Sequence, residues 1–342
     1  MSDNSSSDSR NQGLQAARGM AAFAVMYYHS HLALGYFNKS VLWPISYLTE
    51  HGAFGVDVFF AISGYIICLV SQKPSFTLPS FFLKRMARIY PLSTAVTLGI
   101  VLIVFTIDLP LFDQFTGSQL LYSILLLPSD RSLNAVAWTL QYEVCFYIVG
   151  GLILRFASPA ALLVYCVAAA TFVYWQPIEN TWIEHFFGSR YASFGAGVGA
   201  YLIMMKARTR KHTPLALLCF GLVMLHFGPL LAIPYSTSMA AGILVCSAAA
   251  WHTHSKPLTL LGDSSYALYL FHFPFFVCLN GLVWQLSPPQ WTGELVRWGA
   301  MGFCLTASVA SWRLLEKPIN DAVGRCLNQR RQGVVKATMS VV

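Results

Sequence analysis

The chain has 342 residues, of which 56% are hydrophobic and only 11% charged, against about a quarter charged in soluble domains. That composition argues against a water-soluble globular fold. The net charge of +8 does not indicate nucleic-acid binding, because the basic residues sit at the ends of apolar runs rather than in a stripe interleaved with aromatics. The eight cysteines are dispersed without CxxC spacing, which argues against a zinc site or a disulfide framework.

In chain order, residues 1–17 are polar and Ser/Asn-rich and read as a disordered cytoplasmic N-terminus. Ten runs long enough to cross a bilayer follow, at 18–37, 52–71, 90–108, 136–154, 159–175, 187–205, 213–228, 231–251, 264–286 and 295–314. The first lacks the features of a cleaved signal and is expected to be retained. The run QLLYSILLLP, 119–128, is too short to cross and reads as interfacial or re-entrant. Residues 18–318 form a single transmembrane domain and 319–342 a basic cytoplasmic tail. With the N-terminus inside, only Lys39, Arg131, Arg190 and Arg297 of the 22 lysines and arginines fall outside. The positive-inside bias therefore places both termini in the cytoplasm. The fold class is an all-α polytopic membrane protein, with about ten transmembrane helices around a polar cavity.

The ionisable residues within these runs are the functional candidates. Arg18 and His29 are eleven residues apart, which is about 16 Å along a helix and three turns plus roughly 20°, so they share a face. His29 lies near mid-depth, either satisfied by an interhelical hydrogen bond or handling a proton in a polar cavity. His31 points elsewhere and reads as structural or cavity-lining. The HxH patterns at His29/His31 and His252/His254 lack a further ligand at ordinary spacing, so no metal is expected.

Asp57, early in GVDVFFAISGYII, either ties helices together or lines an outer cavity. Gly52, Gly55 and Gly64 around it predict close helix approach. Lys84, Arg85 and Arg88 precede the third run. Arg85 and Arg88, at i and i+3, share a face and can fork onto phosphates, or else serve only topology.

Glu143, in WTLQYEVCFY, lies about 10 Å in from the opposite side. It can pair with His29, fixing the imidazole tautomer, or with Arg190 or Arg297. His272 precedes Pro274 by two residues. It either lines the cavity as a substrate-binding group or bonds a carbonyl freed by the proline.

Taken together, Arg18-x10-His29, GVDVFFAISGYII, Arg85-x-x-Arg88 before IYP, WTLQYEVCFY with Glu143, SYALYLFHFP and LLEKP occur in order over nearly the whole chain. The set resembles the membrane-bound acyltransferase-3 family, in wording closest to members that O-acetylate bacterial exopolysaccharide. The resemblance implies an acyl-CoA donor, acetyl-CoA first, entering from the cytoplasm as co-substrate, with no permanently bound cofactor. Arg85 and Arg88 would hold its phosphates, His29 would act as base, Glu143 would be an active-site carboxylate and Arg18 the partner on the His29 face. The acceptor would be a hydroxyl of a glycan or lipid-linked sugar. The setting would be the bacterial inner membrane beside polysaccharide-synthesis machinery. The SGNH-type extracellular domain of some members is not expected in this chain.

Two other classes compete. A proton-coupled transporter would use His29, Glu143 and His272 as a relay, but predicts repeat symmetry and paired broken helices, which the sequence does not show. A scaffold of a polysaccharide-export complex would leave the ionisable residues structural.

Overall fold

The computed structural model describes residues 11–38, 45–106, 115–207, 210–251 and 255–339. Arg10, Lys39, Arg208, His252 and His254 lie outside the described residues. Every regular element among the described residues is helical. The chain runs α1 (Gln12–Ala33), α2 (Ile45–His51), a 3₁₀ turn (Gly52–Phe54), α3 (Gly55–Ser71), α4 (Leu78–Thr106) and α5 (Gly117–Leu125). It continues α6 (Trp138–Phe156), α7 (Pro159–Trp175), α8 (Thr181–Phe187), α9 (Tyr191–Lys206), α10 (Thr213–Leu230) and α11 (Ser236–Ala250). After α12 (Lys256–Asp263), α13 (Ser265–Leu286) and α14 (Gly293–Ser311), a π turn (Trp312–Glu316) leads into α15 (Lys317–Met339).

Each of the ten apolar runs contains a helix, with ends shifted by local chemistry. Helix α1 starts at Gln12, six residues before Arg18, because Asn11 caps it by accepting from the Leu14 N–H at 3.1 Å. The last residues of the polar N-terminal segment are therefore helical rather than disordered. Helix α4 begins at Leu78 and carries Pro91 inside it, so Arg85 and Arg88 lie on the same helix as the apolar run that follows. The tail beyond residue 318 continues as α15.

Among the described residues, four stretches are by length and composition long and apolar enough to cross a membrane: Tyr47–Ser71, α4, α10 and α13. Helices α7 and α11 are apolar but shorter. Many large apolar side chains point outward, among them Leu102 at 63%, Phe105 at 77%, Val164 at 68% and Leu230 at 70% exposure. Water would not tolerate so much apolar surface, whereas lipid solvates it.

Helix α1 is central, packed on α3, α12 and α13, while α3 continues the core onto α9 and α11. Close approach depends on glycine, as the sequence predicted. Gly52 and Gly55 lie against the Ala24 and Ala21 carbonyls of α1, and Gly64 against the Phe194 carbonyl of α9. A Cβ at any of these would overlap the facing backbone.

Candidate active site

Helices α1, α3, α4, α6 and α13 line an inner cavity. Three guanidiniums line it: Arg18 from α1, and Arg85 and Arg88 one turn apart on α4. Glu143 of α6 faces them across the same space. Its Oε1 accepts from Ser63 Oγ at 2.7 Å and from the Tyr147 hydroxyl at 2.5 Å. Tyr147 is one turn along α6, and the Arg85 guanidinium lies 5.0 Å from its ring centre and 5.5 Å from that of Phe81. Arg85 is thus aimed by two aromatic faces rather than by a carboxylate.

Arg88 has a carboxyl neighbour in Glu316, within the LLEKP segment that closes the π turn. Glu316 is buried, at 7% exposure. Burial pushes its carboxyl up to about 7, opposed by the Arg88 charge and reinforced by Asp263. Tyr266 ties the wall together by donating to the Ile89 carbonyl at 2.6 Å.

His29 is not among the residues lining this cavity. Its partner is His272 of α13, with His29 Nδ1 and His272 Nε2 2.7 Å apart. His272 Nδ1 in turn lies 2.9 Å from the Leu268 carbonyl. His272 is fully buried and His29 partly exposed. Tyr269 joins the two regions: it lines the inner cavity, and its ring centre is 5.7 Å from those of both His272 and Phe59. The carbonyl that Pro274 leaves free, that of Leu270, accepts from Asn134 Nδ2 at 3.3 Å. His272 is therefore not the partner of that carbonyl. His31, 7% exposed, packs its ring against Tyr27 at 5.0 Å.

Asp57 lines a separate second pocket, the outer pocket of the sequence-based topology, with His51, Trp138, Arg190 and Thr237. It also ties α3 to α9 by accepting from Ser193 Oγ at 2.6 Å, so it joins two helices at the pocket wall. Arg190 lies over Trp138, 5.0 Å from its ring centre. Val56 borders both cavities. Neither arginine offered as an alternative partner for Glu143 shares its cavity. Arg190 lines the outer pocket. Arg297 is 2% exposed, pairs with Glu294 at 2.8 Å and donates to the Asn38 carbonyl at 2.7 Å.

Of the sequence candidates, Arg18, Arg85, Arg88 and Glu143 come together, His29 joins His272, and Asp57 stands apart. Sequence reasoning missed Ser63, Tyr147, Tyr269, Asn134 and Glu316. Tyr147 was findable, being four residues from Glu143 on one helix face. Glu316 lay in a motif already in view. Ser63 and Asn134 gave no signal beyond polarity in or near an apolar run.

The described helices thus hold an arginine-lined cavity beside a histidine pair, within an all-helical protein of membrane type. The chain belongs to the acyltransferase-3 family, whose acyltransferase domain matches residues 11–313. It is similar to a Bacillus subtilis (strain 168) protein named as a peptidoglycan O-acetyltransferase, YrhL, at 25% identity over 93% of this chain. It covers 56% of YrhL, so it spans little more than half of that protein's length. It is 28% identical to the exopolysaccharide production protein ExoZ of Rhizobium meliloti (strain 1021), over 78% of this chain and 89% of ExoZ. The acyltransferase MdmB of Streptomyces mycarofaciens is 24% identical over 77% of this chain and 78% of its own length. No solved structure matches.

Proposed function

We propose that the protein transfers an acyl group, acetyl first, from acyl-CoA to a hydroxyl of a glycan or lipid-linked sugar, with His29 as general base. The observation that carries this reading is the inner cavity, where Arg18, Arg85 and Arg88 face a single carboxylate, Glu143. Such a concentration of guanidiniums suits a polyphosphate, because each can fork onto phosphate oxygens. The pantetheine arm passes Tyr269 toward His29. There the acceptor O–H proton moves to the imidazole as the oxygen attacks the thioester carbonyl. The C–S bond breaks, and the thiolate takes the proton back from the imidazolium, leaving an ester and CoA thiol. Glu143 holds the Ser63 and Tyr147 hydroxyls at the cavity wall and counters the arginine charge.

In this reading the ten runs cross a bacterial inner membrane with both termini in the cytoplasm, so the arginine cavity opens inward. Asp57 and Arg190 in the outer pocket contact the glycan. The names of YrhL and ExoZ support a polysaccharide acceptor. The test is mass spectrometry of surface polysaccharide from cells carrying wild type, His29→Ala or no copy of the gene. Loss of one acyl group per site, both in His29→Ala at normal expression and on deletion, is expected. Unchanged acylation in His29→Ala overturns the base assignment, and unchanged glycan on deletion overturns the acceptor class.

A further inference from the structure

We infer that His272 is a positioning residue that fixes the tautomer of His29 and leaves His29 Nε2 as the proton acceptor. The inference deepens the general-base reading and rests on it for its catalytic half. Its structural half stands on hydrogen-bond polarity alone. The Leu268 carbonyl can only accept, so His272 Nδ1, 2.9 Å away, carries a hydrogen. A neutral imidazole protonated at Nδ1 has its lone pair at Nε2. His29 Nδ1, 2.7 Å from that lone pair, must therefore donate. The remaining nitrogen of His29, Nε2, is then unprotonated.

The polarity reverses only if His272 carries a proton on both nitrogens. That would place a full charge on a ring with no solvent exposure, between Tyr269 and Phe276, where its desolvation is costly. The chain from carbonyl to His272 to His29 thus runs one way, from a fixed backbone acceptor to the partly exposed ring. Its neutrality suits the setting. An aspartate in place of His272 would orient the base equally well, but would bring an ionised group into the apolar core. His272 is also free for this role, because Asn134 takes the carbonyl opened by Pro274.

The experiment compares full-length wild type, His272→Gln and His272→Leu in bilayers, with ¹⁵N-labelled histidine. Glutamine keeps an acceptor oxygen near the former Nε2, whereas leucine keeps volume but no acceptor. Magic-angle-spinning NMR is expected to show His29 protonated at Nδ1 in wild type and in His272→Gln, and a mixture of tautomers in His272→Leu. Polysaccharide acylation in cells is expected to fall at least tenfold in His272→Leu and to recover to within threefold of wild type in His272→Gln. CoA affinity should stay within twofold in both variants, which a merely misfolded variant would not show. His29 protonated at Nε2 in wild type overturns the inference, as does equal activity of His272→Leu and wild type, or equal loss in both variants. If the tautomers are as expected but His29→Ala remains active, the base reading fails and the hydrogen-bond chain survives. If His29 is essential but its tautomer is wrong, only the role of His272 fails.

Discussion

Arg85→Ala is the most direct probe of the inner cavity. The guanidinium is half-buried and held over the rings of Tyr147 and Phe81. Its geometry is therefore set before a ligand arrives, and little side-chain entropy is left to lose on binding. A hydrogen bond to a charged group contributes about 1.5–3 kcal/mol net, and a fork can make two. Partial exposure argues against counting both in full, so the expected loss is about 2–3 kcal/mol, or roughly 30–150-fold in CoA affinity. Arg85→Lys keeps the charge without the fork and should lose roughly tenfold. The assay is calorimetric titration of purified protein in lipid nanodiscs with CoA, and with pantetheine, which has no phosphate. Raising salt should weaken CoA binding to wild type more than to Arg85→Ala. A change in CoA affinity under threefold, or an equal loss with pantetheine, would refute the phosphate assignment and return Arg85 to a topological role.

Further expectations follow from neighbouring geometry. Glu143→Gln leaves an acceptor for Ser63 and Tyr147 but removes the charge facing the arginines, so acylation in cells should fall more than tenfold while thermal stability barely changes; unchanged acylation would reduce Glu143 to a structural ligand. Glu316 binds its proton up to about 7 when folded, against 4.5 for an ordinary glutamate. The folded state therefore holds the extra proton between those values, and stability should decline as pH rises through that window, by at most about 3 kcal/mol. Melting temperatures from pH 4.5 to 8 should show this slope in wild type and lose it in Glu316→Gln. Gly197→Leu drives a side chain into the Ala61 carbonyl of α3 and should cost at least about 3 kcal/mol, read as a lower unfolding temperature in detergent.

The helices were legible in the sequence because apolar run length is a local property, and each of the ten runs contains one. The cavity was legible for a similar reason. Arg85 and Arg88 share a face through their spacing, and Arg18 and Glu143 were the rare charges inside apolar runs. Which side chains meet was not legible where it depends on long-range packing. His29 and His272 are 243 residues apart, and nothing in either run favours that partner over Glu143. The boundary at Arg18 failed for a local reason: Asn11 reads as polar linker until its side chain is seen capping α1.

The two halves of the site solve opposite electrostatic problems. The cavity gathers three arginines and a glutamate on three helices, and such a cluster is tolerable only where water or a ligand can enter. In the histidine pair His272 is fully buried, where a fixed charge would be costly, and it is held by a backbone carbonyl that is already part of α13. Tyr269 both lines the cavity and packs against His272. Its hydroxyl is held by the Val136 carbonyl and by Thr139, at 3.1 and 2.9 Å, so the ring is braced from α6 and the segment before it. In the proposed reaction, a thioester anchored by its phosphates at the arginines passes this ring on the way to Nε2 of His29. Tyr269→Phe keeps the ring and removes its brace. If the ring gates the approach, turnover should change while CoA affinity does not; if transfer takes place within the arginine cavity itself, neither should move.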